Sequence, residues 1–597
     1  MKKKKEIYRS LKAPITNLIR NPETLQNINN IVIKINQLRT HSLLFTKLYF
    51  IHLYDNNLEF PLIDRGFFQC VVRVLTVSER KRPAFTKNEE LFKHIQKFYI
   101  SHYKSLRISD DLDVTSYRTI INYMITDIIT DLENNIKMRF YNHVKNYVYS
   151  IYYKDDYINN IKKIEKNTHV RKKLIRIKMK HIKNAIDDIY KMKLGDLWIK
   201  ETFNKNSIPY DIECVPQEYI RCMIYMNKTC EKNDSKILNI FPLKRSIVPG
   251  HIRLDTESIV DIFVTENKKL YKSTGGIEMY KDFIWNEFFK MDKKIFNSKD
   301  FKFNGSIQTD GFSISILQSK NGKVGKFTEM YIDDKKIKDK VCLKNLNLVS
   351  IDPNKDDLIY CASGSKENED FKIFRYTQMQ RNKEMYTKKH KRVLEHEKYI
   401  NDISEIENEL SEFNSKTNDF NEFSKYIKKK NDINERLKIF YERVLWRKNR
   451  LSSYVGKTKS EQKMLKKFKE KFGNSDETLI AFGDWSQKEQ MKFKQPSKGK
   501  SFRSLFRKAG YKVYLIDEYK TSKQCCNCKD TNAINEKFLK VMSPRPWKRD
   551  TEIMCHGLVK CKTCNTMFNR DTNSVVNIRN IALCALNDMN RPSFLCR

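Results

Sequence analysis

Apolar positions in the first 240 residues recur at spacings of three and four. Ile121, Ile125, Ile128, Leu132 and Ile136 form one such stripe, and the pattern predicts that this part of the chain is mostly helical. In VRKKLIRIKMKHIKNAIDDIYKMKL, from Val170, Lys and Arg alternate with the aliphatic positions. Such a helix sets an apolar line against a basic one, although a solvated face is the simpler account of any single helix. From about 240 to 345 the period shortens. SIVDIFVTENKKLYKSTGG from Ser258 and FKFNGSIQTDGFSISILQSKNGK from Phe301 alternate apolar with polar around Gly and Asn turns, which predicts short antiparallel strands closing into a small barrel.

Strand patterns return at Leu346, Leu348, Val349 and Ile351, then at LIYCAS after the turn DPNKDD. A long charged stretch follows. Leu394, Ile400, Ile403, Ile406, Leu410 and Phe413 make a first seam, NSKTND breaks it, and Phe423, Ile427, Ile433, Leu437, Val444 and Leu445 make a second. This predicts an antiparallel helical hairpin, not a heptad coiled coil, because the seam spacing drifts. Two more strands are expected at ETLIAFGDWS and YKVYLIDEY, then a cysteine cluster, then a helix through Val575, Val576, Ile578, Ile581 and Leu583.

Composition sharpens the picture. The 597 residues carry 115 Lys+Arg against 73 Asp+Glu, a formal net charge of +42. A surplus of that size repels itself unless an anion neutralises it, and nucleic acid is the usual partner. An AT-rich genome accounts for about half of the Lys excess, but it would supply Glu as freely. No apolar run is long enough for a membrane span. Lys2 to Lys5 and the interrupted apolar residues after them do not read as a signal peptide, so an intracellular chain with reduced thiols is expected.

Six of the 14 cysteines lie between 525 and 564. Cys525 with Cys528 and Cys561 with Cys564 form two CxxC knuckles, the pattern of a closed tetrahedral site for one structural Zn²⁺. Cys526, Cys555 and His556 are spare donors nearby. Three carboxylates stand at element ends: Asp352 in LVSIDPN, Glu518 in VYLIDEYKTS and Asp571 in NRDTNSVVNI. Singly, each has an ordinary reading, Asp352 as a turn residue and Asp571 as a helix N-cap. Together they would hold two Mg²⁺ ions about 4 Å apart for phosphodiester hydrolysis. Asp517 neighbours Glu518 but, in a strand, faces the other way. Gly499-Lys500-Ser501 lacks the upstream glycine of a nucleotide-binding loop, so no nucleoside triphosphate is expected.

SIDPN, TSKQCCNC with CKTC, and NRDTNSVVNI resemble the nuclease core of the transposon-encoded TnpB proteins and, more closely, the Fanzor proteins of eukaryotes and their large DNA viruses. Motif by motif the resemblance covers about 345 to 585 and is general before that. It implies a multidomain α+β protein: a helical recognition lobe and a β-barrel wedge domain, then a RuvC (RNase H-like α/β) nuclease domain with an inserted helical hairpin and a zinc ribbon. The boundaries it implies are 1–70 for the N-terminal basic segment and first part of the wedge, 71–240 for the recognition lobe, 241–345 for the wedge and 346–597 for the nuclease. The helical insertion then spans 366–475 and the ribbon 521–569.

The resemblance also implies RNA-guided cutting of double-stranded DNA, with an omega-type guide RNA and the target as partners. Tyr147, Tyr149, Tyr152 and Tyr153 are candidates for base stacking, with core packing the alternative for at least half of them. In the TnpB pattern a Glu ends the strand that reads LIAFGDWS here, where this chain has Asp484. The Fanzor pattern moves the Glu to just before the TS of the ribbon, which corresponds to Glu518. The expected catalytic and magnesium-binding set is therefore Asp352, Glu518 and Asp571, with Asp484 in reserve. Two other readings stay open: a non-catalytic nucleic-acid-binding transposition accessory or regulator, and a DNA-cutting transposase that needs no guide. A eukaryotic or viral setting, with KKKK as a basic import signal, points to the nucleus.

Overall fold

The computed structural model describes the chain except for residues 1–5, 77–87, 109–111, 113, 115–116, 192–207, 245, 322–328, 335–336, 338–339, 365–369, 486–497, 538–539, 544–550 and 597. It divides into two compact units. The first comprises residues 1–323 and 395–451, the second 324–394 and 452–597. Among the described residues no helix is long and apolar enough to cross a membrane.

In the first unit the 3.6-residue periodicity yields long helices, Pro22–Asp55 and Arg118–Ile151 foremost. The stripe Ile125, Ile128, Leu132 and Ile136 is buried in one core with Phe45, Phe50 and Phe67. Tyr147 joins that core, while Tyr152 and Tyr153 are exposed. Four strands, β1 (Glu6–Pro14), β2 (Ile252–Asp255), β3 (Lys302–Thr309) and β4 (Ser313–Asn321), form an antiparallel sheet in the order β1-β4-β3-β2. Among the described residues this sheet is open, where a barrel was expected. The reason lies at Ser258. The stretch expected as strand is the helix Thr256–Phe263, because Asp255 and Ser258 cap it reciprocally, each side chain bonding the other's backbone N–H.

The charged insertion is helical as well, with Phe420–Glu442 and Val444–Phe472 its longest elements and 413–419 the loop at NSKTND. Its boundaries differ from expectation in two ways. The strand Lys372–Thr377 lies inside the range expected to be helical and belongs to the second unit's sheet, since KIFRYT is rich in the aromatic and β-branched residues that suit a sheet. Residues 395–451 group with the first unit, where Phe423, Tyr426 and Ile427 complete its core.

In the second unit β5 (Asn347–Asp352), β6 (Asp357–Ser363), β7 (Lys372–Thr377), β8 (Thr478–Gly483) and β9 (Lys512–Ile516) form one sheet in the order β7-β6-β5-β8-β9. The pairs β7–β6 and β6–β5 are antiparallel, and β5–β8 and β8–β9 are parallel. Side chains alternate between two covered faces. Val349, Ile351, Ile480 and Phe482 pack with Phe468, Phe472, Phe502 and Phe506, whereas Leu348, Leu479 and Ala481 pack with Ile578, Ile581 and Ala582 of the helix Arg570–Leu586.

One buried cation ties the first unit together. Arg447 is 1% exposed and donates to Asn29 Oδ1 (2.5 Å) and to the carbonyls of Asp310 (2.8 Å) and Glu442 (2.7 Å). Gly311, at φ +84°, leaves room for it, because a Cβ there would stand 2.6 Å from Arg447 Nη1. Arg447→Ala would strand these acceptors. The expected loss is about 3 kcal/mol of stability, measured as a shift of the denaturant midpoint.

Candidate active site and cysteine cluster

Three acids gather at one end of the second unit's sheet. Asp352 closes β5 and follows Ile351, so strand alternation turns it toward the face covered by the helix Arg570–Leu586. Asp571 lies in the first turn of that helix. The N-cap is not Asp571, as its ordinary reading had it, but Asn569, whose side chain accepts from the N–H groups of Asp571 and Thr572 at 2.9 and 3.1 Å. The Asp571 carboxylate is thereby released from capping and meets Arg570, at 2.9 and 3.1 Å from its Oδ1.

Glu518 arrives by another route. It lies two residues beyond the end of β9, and its carboxylate folds back over Gly483, the last residue of β8. A Cβ built on Gly483 would stand 1.7 Å from Glu518 Oε1, so only glycine admits this path. Ile351 pairs with Phe482, which puts Gly483 beside Asp352 on the next rung. Trp485 N–H donates to Glu518 Oε1 at 3.1 Å. Asp484, the reserve acid, is engaged elsewhere: Oδ1 accepts from Glu518 N–H (3.3 Å) and Oδ2 from the Tyr331 hydroxyl (2.9 Å). Asp517 accepts from Tyr519 N–H and lies 3.9 Å from Arg591.

Electrostatics follows from this crowding. Burial, then the Asp571 charge, raises Asp352 to about 7. Burial, then the charge of Asp352, pushes Glu518 well above the usual carboxylate range. Asp352 thus feels both other acids. Among the described residues no three carboxylates have oxygens all within 4.8 Å of one another. Arg570 draws on Asp571. Buried, oxygen-rich and short of positive charge, the cluster suits hard divalent cations such as Mg²⁺.

The cysteines do close. Cys525, Cys528, Cys561 and Cys564 have sulfurs within 4.8 Å of one another. Cys525–Cys564 and Cys528–Cys561 are each 3.8 Å apart. A tetrahedron with Zn–S bonds of about 2.3 Å has edges of about 3.8 Å, so the thiols fit Zn²⁺. Cys526, Cys555 and His556 stand outside this set. The knuckles rest on short strands, β10 (Asn535–Lys537), β11 (Lys540–Met542), β12 (Glu552–Met554), β13 (Leu558–Cys561) and β14 (Met567–Asn569), in two small sheets.

Sequence reasoning missed Gly483, Arg570 and two asparagines. Asn573 and Asn577 donate to the carbonyls of Thr521 and Gln524 at 2.8 to 2.9 Å, and both side chains are fully buried. Their signal is the four-residue spacing of Asn569, Asn573 and Asn577, which lines them up on one helix face.

Residues 503–578, which include Glu518, the four cysteines and Asp571, match the family described as Cas12f1-like, TNB domain. Residues 252–320 match a domain of unknown function, DUF8286. No curated protein matches the chain. Among solved structures, CasPhi-2 (Cas12j) bound to crRNA is 13% identical over 53% of this chain and 60% of that one, with a TM-score of 0.26. CasPhi-2 (Cas12j) bound to crRNA and phosphorothioate-DNA is 11% identical over 49% and 53%, with a TM-score of 0.22. The chain thus spans little more than half the length of those proteins, and likenesses of this size carry no argument.

With Asp352 at about 7 in the folded chain against 3.8 for a free carboxyl, the unfolded chain ionises first, so stability falls as pH rises between those values. In EDTA, Asp352→Asn is expected to melt above the parent at pH 8, the gap shrinking toward pH 5; a constant gap would contradict the shift. Cys561→Ser is expected to lower bound zinc, measured by plasma emission, from about one per chain to near zero, while Cys555→Ser leaves it unchanged.

Proposed function

We propose that this chain is an RNA-guided DNA endonuclease of the TnpB/Cas12 type, and within it of the Fanzor type. The observation that carries the reading is the convergence of Asp352, Glu518 and Asp571 on one face of the β5–β8–β9 edge. The sheet order, three antiparallel strands followed by two parallel ones, supports a RuvC-like, RNase H-like core. The Cas12f1-like match over 503–578 supports the same assignment for the cysteine module and the acids around it.

In this reading Asp352, Glu518 and Asp571 hold two Mg²⁺ ions, and the four cysteines hold one structural Zn²⁺. Bound Mg²⁺ supplies nucleophile activation and charge stabilisation for phosphodiester hydrolysis. The chain's own part is positional. Trp485 N–H and the bare Cα of Gly483 fix the Glu518 carboxylate, Asp484 braces the turn that carries it, and Asn569 frees Asp571 from capping. The net charge of +42 suits a guide RNA of the omega type and a double-stranded DNA target as partners. A nuclear location fits such a role. The non-catalytic alternative drew on Asp484 standing where a Glu is expected; the path of Glu518 over Gly483 favours catalysis instead.

The test is to purify the chain after expression with its flanking DNA, sequence the RNA that accompanies it, and assay cutting of DNA matching that RNA. Glu518→Gln, which removes the carboxylate charge in place, and Gly483→Ala, which pushes the carboxylate aside by about 1 Å, should each lower cutting by about a hundredfold or more while RNA binding persists. Asp484→Asn should keep most of the activity. Cutting that survives both of the first two variants, or that needs no RNA, would refute the proposal.

A further inference from the structure

The first unit holds a partly open cavity of about 140 Å³ between the helices Pro22–Asp55 and Phe420–Glu442, lined also by Lys244, Ser246, Ile247 and Pro249. Its wall carries four basic residues, Arg107, Lys244, Lys430 and Lys438, against two acids, Glu435 and Glu442. Lys430 is 5% exposed, and its ammonium reaches only the amide oxygen of Asn434, at 3.4 Å. Lys244 donates to the amide oxygen of Asn36, itself buried and also accepting from Gly250 N–H. The charges acting on Lys244 are those of Arg39, Arg450 and Lys430, all positive.

Of the two acids in the wall, Glu435 lies 3.7 Å from Lys438, and burial raises Glu442 against the nearby charge of Lys438, so neither is paired with Lys244 or Lys430. Among the described residues neither Lys244 nor Lys430 has a carboxylate partner. Burial accordingly lowers Lys244 to about 7 and Lys430 to about 8. A buried ammonium without a counter-charge is costly to the fold. Each ammonium carries three donors, and one on each is engaged by a neutral amide. The unmet requirement is an anion that accepts several hydrogen bonds at once and fits a small cavity.

We propose that this cavity is a phosphate-binding site, in which the ammonium groups of Lys244 and Lys430 clasp one phosphate group. The inference does not depend on the endonuclease reading, since it concerns neither the acids nor the cysteines. The same chemistry is offered by free phosphate and by a phosphate of a bound nucleic-acid strand.

The experiment uses the full chain, stripped of nucleic acid at high salt, and compares melting in phosphate with melting in chloride at equal ionic strength. The parent is expected to gain about 3 °C in phosphate. Lys430→Met, which removes the unmatched charge, should melt higher than the parent in chloride and lose the phosphate response. Line broadening of inorganic phosphate in ³¹P NMR by the parent, and its loss in Lys244→Gln, gives a second measure that does not rely on melting. No phosphate response in the parent by either measure would overturn the proposal. A lower melting temperature for Lys430→Met in chloride would overturn it too, since the chain would then already supply the counter-charge. With RNA left bound, a response that disappears assigns the site to a strand phosphate, and one that persists assigns it to free phosphate.

Discussion

Parallel pairing is the constraint on which the candidate active site rests. Strands β5, β8 and β9 run in one direction, so their C-terminal ends, at Asp352, Gly483 and Ile516, reach the same edge of the sheet. Chain leaving a parallel edge must turn there, which is why open sheets of this kind carry functional groups at that end. Both faces are closed by helices and buried Phe, Ile and Leu side chains. The apolar packing holds Asp352 and Glu518 in surroundings that disfavour their charge, and each feels another acid close by. Their positions are imposed by the core against their own electrostatic preference.

Gly483 shows how a charge can be placed without being carried by the nearest strand. A carboxylate over this point can come from the end of β8 itself or from the turn after β9. The second route requires that nothing project from β8, and the missing Cβ at Gly483 meets that requirement. Asp484 then has a different task. Its carboxylate bonds Glu518 N–H and the Tyr331 hydroxyl, and its own N–H bonds the Ile516 carbonyl, so it fixes the turn instead of entering the cluster. Two adjacent residues, one without a side chain and one with its side chain turned aside, together determine where Glu518 ends.

The strand alternation at Leu348, Val349 and Ile351, the helical stripe from Ile125 to Ile136 and the two CxxC pairs were legible because each is a local pattern with a single physical meaning. The helix at Thr256–Phe263 was not, since Ile259, Val260, Ile262 and Phe263 suit a strand as well as a helix, and only the Asp255–Ser258 box decides between them. Nor was the grouping of 395–451 with the first unit, which depends on Phe423 and Ile427 joining a core that includes the helix Pro22–Asp55, more than 350 residues earlier in the sequence. Gly483 carried no signal by itself. Its meaning depends on Glu518, 35 positions further on, and appears only once β8 and β9 are paired.

The cysteine module also has a bearing on the acids. Its strands are three or four residues long, and its apolar cluster consists of Cys525, Cys526, Ala533, Val559, Cys561 and Phe568, too little to order a loop-rich segment. Metal binding at four thiols would supply the missing folding energy. That energy reaches beyond the module, because Asn573 and Asn577 bond the carbonyls of Thr521 and Gln524, at the entrance to the first knuckle. The Thr521 hydroxyl and N–H in turn bond the carbonyl of Glu518, and the helix bearing both asparagines carries Asp571 in its first turn. Glu518 and Asp571 are thus moored to opposite ends of the same set of hydrogen bonds. The cysteine module is therefore joined by hydrogen bonds to both elements that carry the acids, the turn at Glu518 and the helix at Asp571.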